Sequence, residues 1–201
     1  MRLAVIGATG KLGSAVIEMA AQDDRFTLSA ALSSKEQAPG APIDVAIDFS
    51  CPAGTRLALT LGVPLVVGTT GLDEETLAAI DLAAKKVPIL ISPNFSLGMG
   101  LLCALLPQIK GAAISIKETH RLGKRDLPGG TARHLASLFP GEVPINSERI
   151  GDCKGEHEIT FAFEGETLKF THTAHNRTPY AKGALEAAAH ISNMPPGLYN
   201  P

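Results

Sequence analysis

The chain has 201 residues, of which 45% are hydrophobic and 19% are charged, and its formal net charge at pH 7 is -2. This length suffices for one large or two small domains with hydrophobic cores. The charge excludes a general attraction to nucleic acid or to an anionic membrane, so any basic site has to be local. No apolar run approaches the ~20 residues of a spanning helix, and no signal-peptide pattern precedes the first strand. We expect a cytoplasmic protein with neither a membrane nor a nucleic-acid partner.

The first residues predict a dinucleotide-binding turn. Residues 3–6 form a short apolar strand, Gly7, Gly10 and Gly13 follow with the spacing G-x-x-G-x-x-G, and a helical pattern begins at Ser14. The first glycine permits a tight turn, the second lets a pyrophosphate approach, and the third lets the helix pack on the strand. A purely structural turn is the alternative, but the order of strand, glycines and helix favours nucleotide binding.

The second strand bears on the choice of cofactor. It covers residues 27–32 and ends in Ser33, Ser34 and Lys35, where an enzyme specific for NAD normally has an acidic residue for the ribose. Two hydroxyls and a lysine suit a 2′-phosphate better, so we expect NADPH to be used at least as well as NADH. A polar loop that touches neither ribose is an equal alternative.

Strands and helices then alternate. Buried strands are predicted near residues 43–48, 65–67 and 89–92, with helices near 53–61 and 73–86 between them. This alternation predicts an α/β fold with a doubly wound parallel sheet. Ligands of such sheets bind beyond the carboxyl ends of the strands. We expect the glycine turn and the residues that follow the later strands to gather there.

The pattern changes after Ser96. A helix near residues 97–106 and a strand lead into a loop at His120, and a helix through Phe139 follows the loop. Residues 158–163 and 167–173 alternate between apolar and polar, which predicts an antiparallel hairpin with one apolar face. A last helix is predicted at 179–191, with a short tail after it. We place the domain hinges near Ser96 and Arg177.

The loop of residues 118–131 carries the chemistry. It contains the imidazole of His120, the cations Arg121, Lys124 and Arg125, and a Pro-Gly-Gly-Thr sequence that opens a helix. Unpaired N–H groups at a helix start beside cations bind anions, and an imidazole exchanges protons near neutrality. The sequence therefore indicates an active-site loop for an anionic ligand; a solvated basic loop is the alternative.

These segments together resemble the 4-hydroxy-tetrahydrodipicolinate reductase (dihydrodipicolinate reductase) family over nearly the whole chain. Residues 118–131 are similar to the family's signature E-x-H-H-x-x-K-x-D-x-P-S-G-T, and the glycine turn, residues 47–50, 68–71 and 93–96 are similar to its strand ends. The resemblance implies a Rossmann-type dinucleotide-binding domain (1–96 with 177–201) and a smaller α+β domain for substrate binding and oligomerisation (97–176). It also implies a homotetramer that reduces a cyclic dicarboxylate with NADPH or NADH in lysine and diaminopimelate biosynthesis.

The resemblance also implies site residues. His120 would be the catalytic acid/base and Lys124 a proton donor that pairs a carboxylate, while Gly130 and Thr131 would bind the other carboxylate. The cofactor would be lined by Gly7, Ala8, Thr9, Gly10, Lys11, Leu12, Ser33, Ser34, Gly68, Thr69, Thr70, Ser92, Pro93, Asn94 and Phe95. Arg121 stands where the family has its second histidine and would fork a substrate carboxylate. Gly129 replaces the signature's serine, and the chain is shortened after Lys35 and Ala136.

We expect no metal site. His172 and His175 could form a metal site with His157, but residues three apart on a strand face opposite sides of it. The three cysteines are far apart in the sequence and indicate neither a disulfide framework nor a zinc knuckle: Cys51, Cys103 and Cys153. Two alternative functions remain open. One is another pyridine-nucleotide dehydrogenase on the same architecture, and the other is a regulator that binds NADPH without turnover.

Overall fold

The computed structural model describes residues 1–33 and 41–200. The chain divides into two compact units, Met1–Ser96 with Arg177–Pro201, and Leu97–Asn176. Ser34 and Lys35, predicted to lie beside the adenosine ribose, are outside the described residues. In chain order the elements are β1 (Arg2–Ile6), α1 (Lys11–Ala20), β2 (Thr27–Leu32), β3 (Val45–Asp48), α2 (Pro52–Leu59), β4 (Leu65–Val67), α3 (Glu74–Ala84), β5 (Pro88–Ile91), α4 (Leu97–Leu105), a 3-10 turn (Leu106–Gln108), β6 (Ala113–His120), α5 (Gly130–Ser137), β7 (Ile145–Arg149), β8 (Glu156–Ala162), β9 (Thr167–Thr173), α6 (Thr178–Ile191) and β10 (Gly197–Tyr199).

The first unit is a parallel sheet of six strands in the order β10-β5-β4-β3-β1-β2. Alternate residues of β1 enter two separate cores: Leu3 and Val5 pack with α1 and α6, whereas Ala4 and Ile6 pack with α2 and α3. Because both faces are covered, the strands are continuous apolar runs, as in other parallel sheets. The predicted doubly wound α/β sheet is confirmed.

The second unit is a mixed sheet of four strands in the order β7-β6-β8-β9. The predicted hairpin is confirmed as the antiparallel pair β8 and β9. One face carries the buried core of Ile116, Ile159 and Phe161, which packs with residues of α4 and α5. On that same face the antiparallel register of β6 and β8 places Glu118 opposite His157. Polar side chains therefore continue the apolar face toward the end of β6.

Two strands were missed in the sequence. β10 pairs in parallel with β5, although the sequence analysis assigned these residues to a tail. β7 pairs in parallel with β6 and brings Arg149 opposite His120. β10 has only three residues and β7 is mostly polar, so neither has the apolar run or alternation by which strands are predicted. In the described ranges, no helix combines the length and the apolar character that crossing a bilayer demands.

Candidate active site

The glycine turn of the first unit is shaped by close backbone contacts. Gly7 has φ +79°, and a Cβ there would lie 2.3 Å from the Phe49 carbonyl oxygen. A Cβ at Gly13 would lie 2.2 Å from the Gly7 carbonyl oxygen, whereas the nearest atom to a Cβ at Gly10 is 3.0 Å away. The fold itself therefore requires the first and third glycines. The second is the least confined by the protein, as expected for a position that a pyrophosphate approaches.

Helix α1 begins directly after this turn. Its N-cap is Gly10, and no side chain in the described part of the chain caps it. Its first N–H groups are thus available for an anion. The turn is tied to the end of β2, because the Gly7 and Ala8 N–H groups donate to the Leu32 carbonyl at 2.9 and 3.1 Å. Ser33 comes directly after this contact.

The predicted cofactor residues follow the carboxyl ends of four parallel strands of one sheet. β1 lies between β2 and β3, so the direction of the strand order reverses there. Such a reversal is where doubly wound sheets bind their ligands. The structure therefore brings the predicted groups to one edge of the sheet: residues 7–12 follow β1, Ser33 follows β2, residues 68–70 follow β4 and residues 92–95 follow β5.

Thr69 has a structural partner that the sequence did not indicate. Its hydroxyl donates to the buried Asp48 carboxylate at 2.9 Å and accepts from the Ser50 N–H at 2.8 Å. Thr55 and Ser50 also donate hydroxyl bonds to Asp48. Burial raises the pKa of Asp48, and the hydroxyl bonds offset only part of that rise. The Thr69 hydroxyl therefore holds the ends of β3 and β4 together. Asp48 is thus bound by three hydroxyl groups.

The turn after β5 is closed by its own polar groups. The Ser92 hydroxyl donates to the Asn94 carbonyl at 2.8 Å, and Asn94 Oδ1 accepts from the Ser96 N–H at 2.9 Å. Phe95 packs edge-on against Phe49, with ring centroids 5.8 Å apart. These contacts give the turn a fixed shape at the same sheet edge as the glycine turn.

In the second unit, a buried carboxylate organises the predicted active-site loop. Glu118 has a side chain with no exposed surface, and its Oε1 accepts from the Gly129 N–H at 2.9 Å and from Arg149 Nη2 at 3.0 Å. Burial acts to raise the pKa of Glu118, but these bonds outweigh it and hold the pKa below its usual value. Glu118 is therefore a buried anion.

Arg149 is a site residue that sequence reasoning missed. Besides Glu118, its guanidinium donates to the backbone carbonyls of Asp126, Glu148 and Lys124. It thereby fastens the loop after β6 to the neighbouring strand β7. This role follows from the parallel pairing of β6 with β7, which places Arg149 opposite His120. The amino-acid sequence does not reveal that pairing.

His120 lies at the end of β6 against this carboxylate. Its side chain is 13% exposed, and its Nε2 is 3.5 Å from Glu118 Oε2. Burial and the Lys124 cation lower the pKa of His120, and Glu118 opposes them. The ring of His157 packs edge-on against His120, with centroids 5.2 Å apart. Burial and His120 lower the pKa of His157 to about 4. Both rings are thus neutral near pH 7.

Lys124 and the start of α5 converge on a carboxylate of the protein itself. Lys124 Nζ lies 2.5 Å from both carboxylate oxygens of Asp126. Burial acts to raise the pKa of Asp126, but Lys124, with a smaller contribution from the Gly130 N–H, holds it below its usual value. Thr131 is the second residue of α5. The predicted anion-binding groups are therefore adjacent, and their arrangement is suited to a carboxylate.

Arg121 is not part of this cluster. It is exposed, and its guanidinium lies against Gly123, where a Cβ would be 2.7 Å from Nη1. Within residues 1–33 and 41–200 its side chain makes no hydrogen bond or ion pair. The structure therefore brings His120, Lys124, Gly130 and Thr131 together and leaves Arg121 at the surface.

Chemically, the second unit offers a proton-exchanging imidazole, an ammonium and helix-start N–H groups in one loop. The first unit offers an uncapped helix start at the carboxyl edge of a doubly wound sheet. The groups of the second unit fit a carboxylated substrate that gains or loses a proton, and those of the first unit fit a dinucleotide.

Known families and structures match both halves of the chain. The model described as "Dihydrodipicolinate reductase, N-terminus" matches residues 1–95, and "Dihydrodipicolinate reductase, C-terminus" matches residues 98–201. The 4-hydroxy-tetrahydrodipicolinate reductase of Alkaliphilus metalliredigens is 35% identical, in an alignment that covers 100% of this chain and 97% of the relative. The enzyme of that name from Xanthomonas campestris pv. campestris (strain B100) is 36% identical, with 99% and 95% covered.

Solved structures share the fold. A dipicolinate-bound dihydrodipicolinate reductase from Paenisporosarcina sp. TG-14 superposes with a TM-score of 0.79 at 22% identity, covering 100% of this chain and 97% of that chain. An amine dehydrogenase from Mycobacterium smegmatis superposes with a TM-score of 0.68 at 13% identity, covering 99% and 94%. At these identities the structures show the fold alone. The two family models and the full-length relatives show that the chain is an oxidoreductase and belongs to the dihydrodipicolinate reductase family.

Proposed function

We propose that the chain reduces 4-hydroxy-tetrahydrodipicolinate to tetrahydrodipicolinate with NADPH or NADH, with loss of the 4-hydroxyl group as water, in lysine and diaminopimelate biosynthesis. The observation that carries the proposal is the convergence of His120, Lys124 and the start of α5 on one carboxylate-binding corner. The relatives' shared name, over essentially the whole chain, supplies the reaction.

The first unit would hold the cofactor. Gly10 is the N-cap of α1 and the least confined of the three glycines, so it fits the approach of a pyrophosphate. We assign cofactor contacts to residues 7–12, Ser33, 68–70 and 92–95, and we include Ser34 from the sequence alone. The Thr69 contact would come from its backbone, because its hydroxyl is bonded to Asp48. NADPH or NADH, when bound, supplies a hydride.

The second unit would hold the substrate. Lys124 and the Gly130 N–H already face the Asp126 carboxylate, so a substrate carboxylate has to share these donors with Asp126. Thr131 follows Gly130 in α5 and would contribute its hydroxyl. Each charge-assisted bond to a carboxylate contributes about 1.5–3 kcal/mol. Arg121, exposed and long, would reach the second carboxylate in place of the family's second histidine.

His120 would supply the proton that follows hydride addition. Its lowered pKa leaves the free ring neutral near pH 7, but a substrate with two carboxylates brings negative charge that favours the imidazolium. Glu118, 3.5 Å from Nε2, stabilises that cation and orients the ring. Lys124 would be the second proton donor. A protein acid is needed because hydride addition leaves electron density that only a proton quenches.

The homotetramer and the cytoplasmic location are also proposals. β9 is an edge strand of the four-stranded sheet, and Lys169 and Thr171 on it are exposed. The backbone N–H and C=O groups on the free side of such a strand are available to pair with another copy. Cys51, Cys103 and Cys153 are unpaired, as is usual in a reducing compartment. Light scattering coupled to gel filtration tests the tetramer, and a monomeric mass would contradict it.

The test is cofactor oxidation with substrate generated in place. The preceding synthase makes the substrate from pyruvate and aspartate semialdehyde, and oxidation of NADPH and NADH is followed by absorbance. We expect turnover that depends on the synthase, with kcat/KM for NADPH at least equal to that for NADH. Tight binding of NADPH without turnover would support a nucleotide-sensing regulator instead.

A further inference from the structure

Three donor atoms face a common point at the end of β6. One atom each from Glu118, His120 and His157 lies within 4.8 Å of the other two. Glu118 Oε2 is 3.5 Å from His120 Nε2 and 4.0 Å from His157 Nε2. A tetrahedral zinc ion with bonds of about 2.0–2.2 Å holds its ligand atoms roughly 3.3–3.6 Å apart. The 3.5 Å pair has this spacing already, the 4.0 Å pair needs to close by about half an ångström, and the two histidine nitrogens, within 4.8 Å, need to close by up to about 1.5 Å.

Two of these residues have buried atoms without a partner. Glu118 Oε2 and both ring nitrogens of His157 accept and donate no hydrogen bond within the described residues. Glu118 has no exposed surface and His157 is 2% exposed. Buried polar atoms nearly always have a partner, so a set of unsatisfied atoms around one point indicates a missing ligand. The Gly129 and Arg149 bonds go to Oε1 of Glu118, whereas Oε2 lies 3.5 Å from His120 Nε2 and 4.0 Å from His157 Nε2. The Ser147 hydroxyl, opposite Glu118 on β7, also acts on this carboxylate and lowers its pKa.

The strands themselves fix this arrangement. Glu118 and His157 are paired residues of β6 and β8, and His120 is two residues beyond Glu118 on the same face. All three donors therefore stand on paired strands or at a strand end rather than on a mobile loop. Two imidazoles and one carboxylate form a donor set that suits zinc, cobalt or nickel, whereas magnesium and calcium prefer oxygen ligands alone.

The surrounding charges moderate the expected affinity. Arg149 and Lys124 face this corner, but Arg149 is paired with Glu118 and Lys124 with Asp126. The formal charges of these two ion pairs sum to zero, so the corner carries no net charge before an ion enters. We propose that Glu118, His120 and His157 form a reversible inhibitory site for Zn²⁺, which blocks reduction by occupying the imidazole of His120.

The binding experiment uses Co²⁺ as the probe. Co²⁺ is titrated into the intact protein and followed by its visible d–d absorption, and Zn²⁺ is then added to displace it. We expect a single-site spectrum that Zn²⁺ abolishes. His157→Gln removes a ligand and should weaken Co²⁺ binding by more than the roughly 10–100-fold that loss of an outer partner costs. The control His134→Gln, which removes a histidine of α5, should bind like the wild type.

The outcomes are distinguishable from those of the proposed function, because the cobalt spectrum does not depend on turnover. If His157→Gln does not fold by circular dichroism, His120→Gln serves as the second ligand variant for binding. In the cofactor-oxidation assay, Zn²⁺ should inhibit the wild type and EDTA should restore activity, while His157→Gln should resist inhibition. Doubling the synthase checks that zinc does not act on it. No cobalt spectrum, or equal binding by the wild type and the ligand variants, would overturn the proposal.

Discussion

The buried pair of Glu118 and Arg149 gives the sharpest prediction about the active-site loop. Replacing Arg149 by Met keeps an unbranched apolar stem and removes the charged guanidinium. The change leaves the fully buried Glu118 carboxylate with the Gly129 N–H as its strong remaining partner, and it removes a donor from the Asp126 carbonyl. Removing one partner of a buried pair costs about 3–5 kcal/mol. Since Arg149 is 14% exposed, we expect the lower part of that range.

A second variant separates the pair from its surroundings. Glu118→Gln keeps the acceptor for the Gly129 N–H and loses a charged hydrogen bond, so it should cost about 2 kcal/mol. The double variant no longer buries an unpaired charge. Its cost should therefore fall short of the sum of the single costs by about 2 kcal/mol, within the usual range for residues in contact.

The assay is urea unfolding followed by circular dichroism at one protein concentration, with all four proteins of the cycle. Arg2→Met is the matched control, because Arg2 and Asp44 form an ion pair of 2.6 Å that is exposed to solvent. Its effect should be far smaller, as is usual for surface pairs. Additive costs for Glu118→Gln and Arg149→Met, within about 0.5 kcal/mol, would refute the claim that Glu118 and Arg149 form a coupled buried pair.

Three further predictions concern single positions. Gly13→Ala should destabilise the first unit, since its Cβ would lie 2.2 Å from the Gly7 carbonyl oxygen. Gly10→Ala should chiefly raise the Kd for NADPH. Equal unfolding midpoints for the two variants would contradict this prediction. Gly129→Ser should lower the free energy of unfolding by about 1–3 kcal/mol, because its Cβ would lie 2.7 Å from Glu118 Oε2. Serine is otherwise a favoured N-cap residue. A variant more stable than the wild type in urea would contradict this close contact. His157 has a pKa of about 4 in the folded protein, compared with its ordinary value of 6.5. Between these two values the unfolded state binds more protons than the folded state. The free energy of unfolding should therefore rise with pH across that range, by about 3 kcal/mol. His157→Gln should flatten this slope in urea midpoints measured from pH 4.5 to 7, and an unchanged slope would show that His157 is not its source.

The first unit was predictable because its information is local. Continuous apolar runs such as Val45–Asp48 and Leu65–Val67 indicate buried parallel strands, and the glycine turn stands at the end of the first of its strands. The helix predicted near residues 73–86 also begins on a local signal, because the Asp73 side chain caps it by accepting from the Thr76 N–H at 2.8 Å. β10 was not predictable, since three residues leave no periodicity to recognise.

The site was predictable only where its residues are neighbours in sequence. His120, Lys124 and Gly130 belong to one loop, so their types and spacing indicated an anion site. Arg149 and His157 reach the same corner through pairing across the sheet, and no sequence spacing records that register. Similarly, no sequence pattern predicts that the Thr69 hydroxyl donates to Asp48, because that hydrogen bond joins the ends of two different strands.

The central claim is hydride reduction of the cyclic dicarboxylate with His120 as the acid. It is tested most directly with cofactor that carries deuterium at the transferable position, substrate made by the synthase, and mass spectrometry of the product. The account predicts that the wild type forms reduced product containing one deuterium atom, and that His120→Gln forms it at a rate lower by about 10²–10⁴-fold. Unlabelled product, or a His120→Gln variant that keeps most of the wild-type kcat, would contradict it.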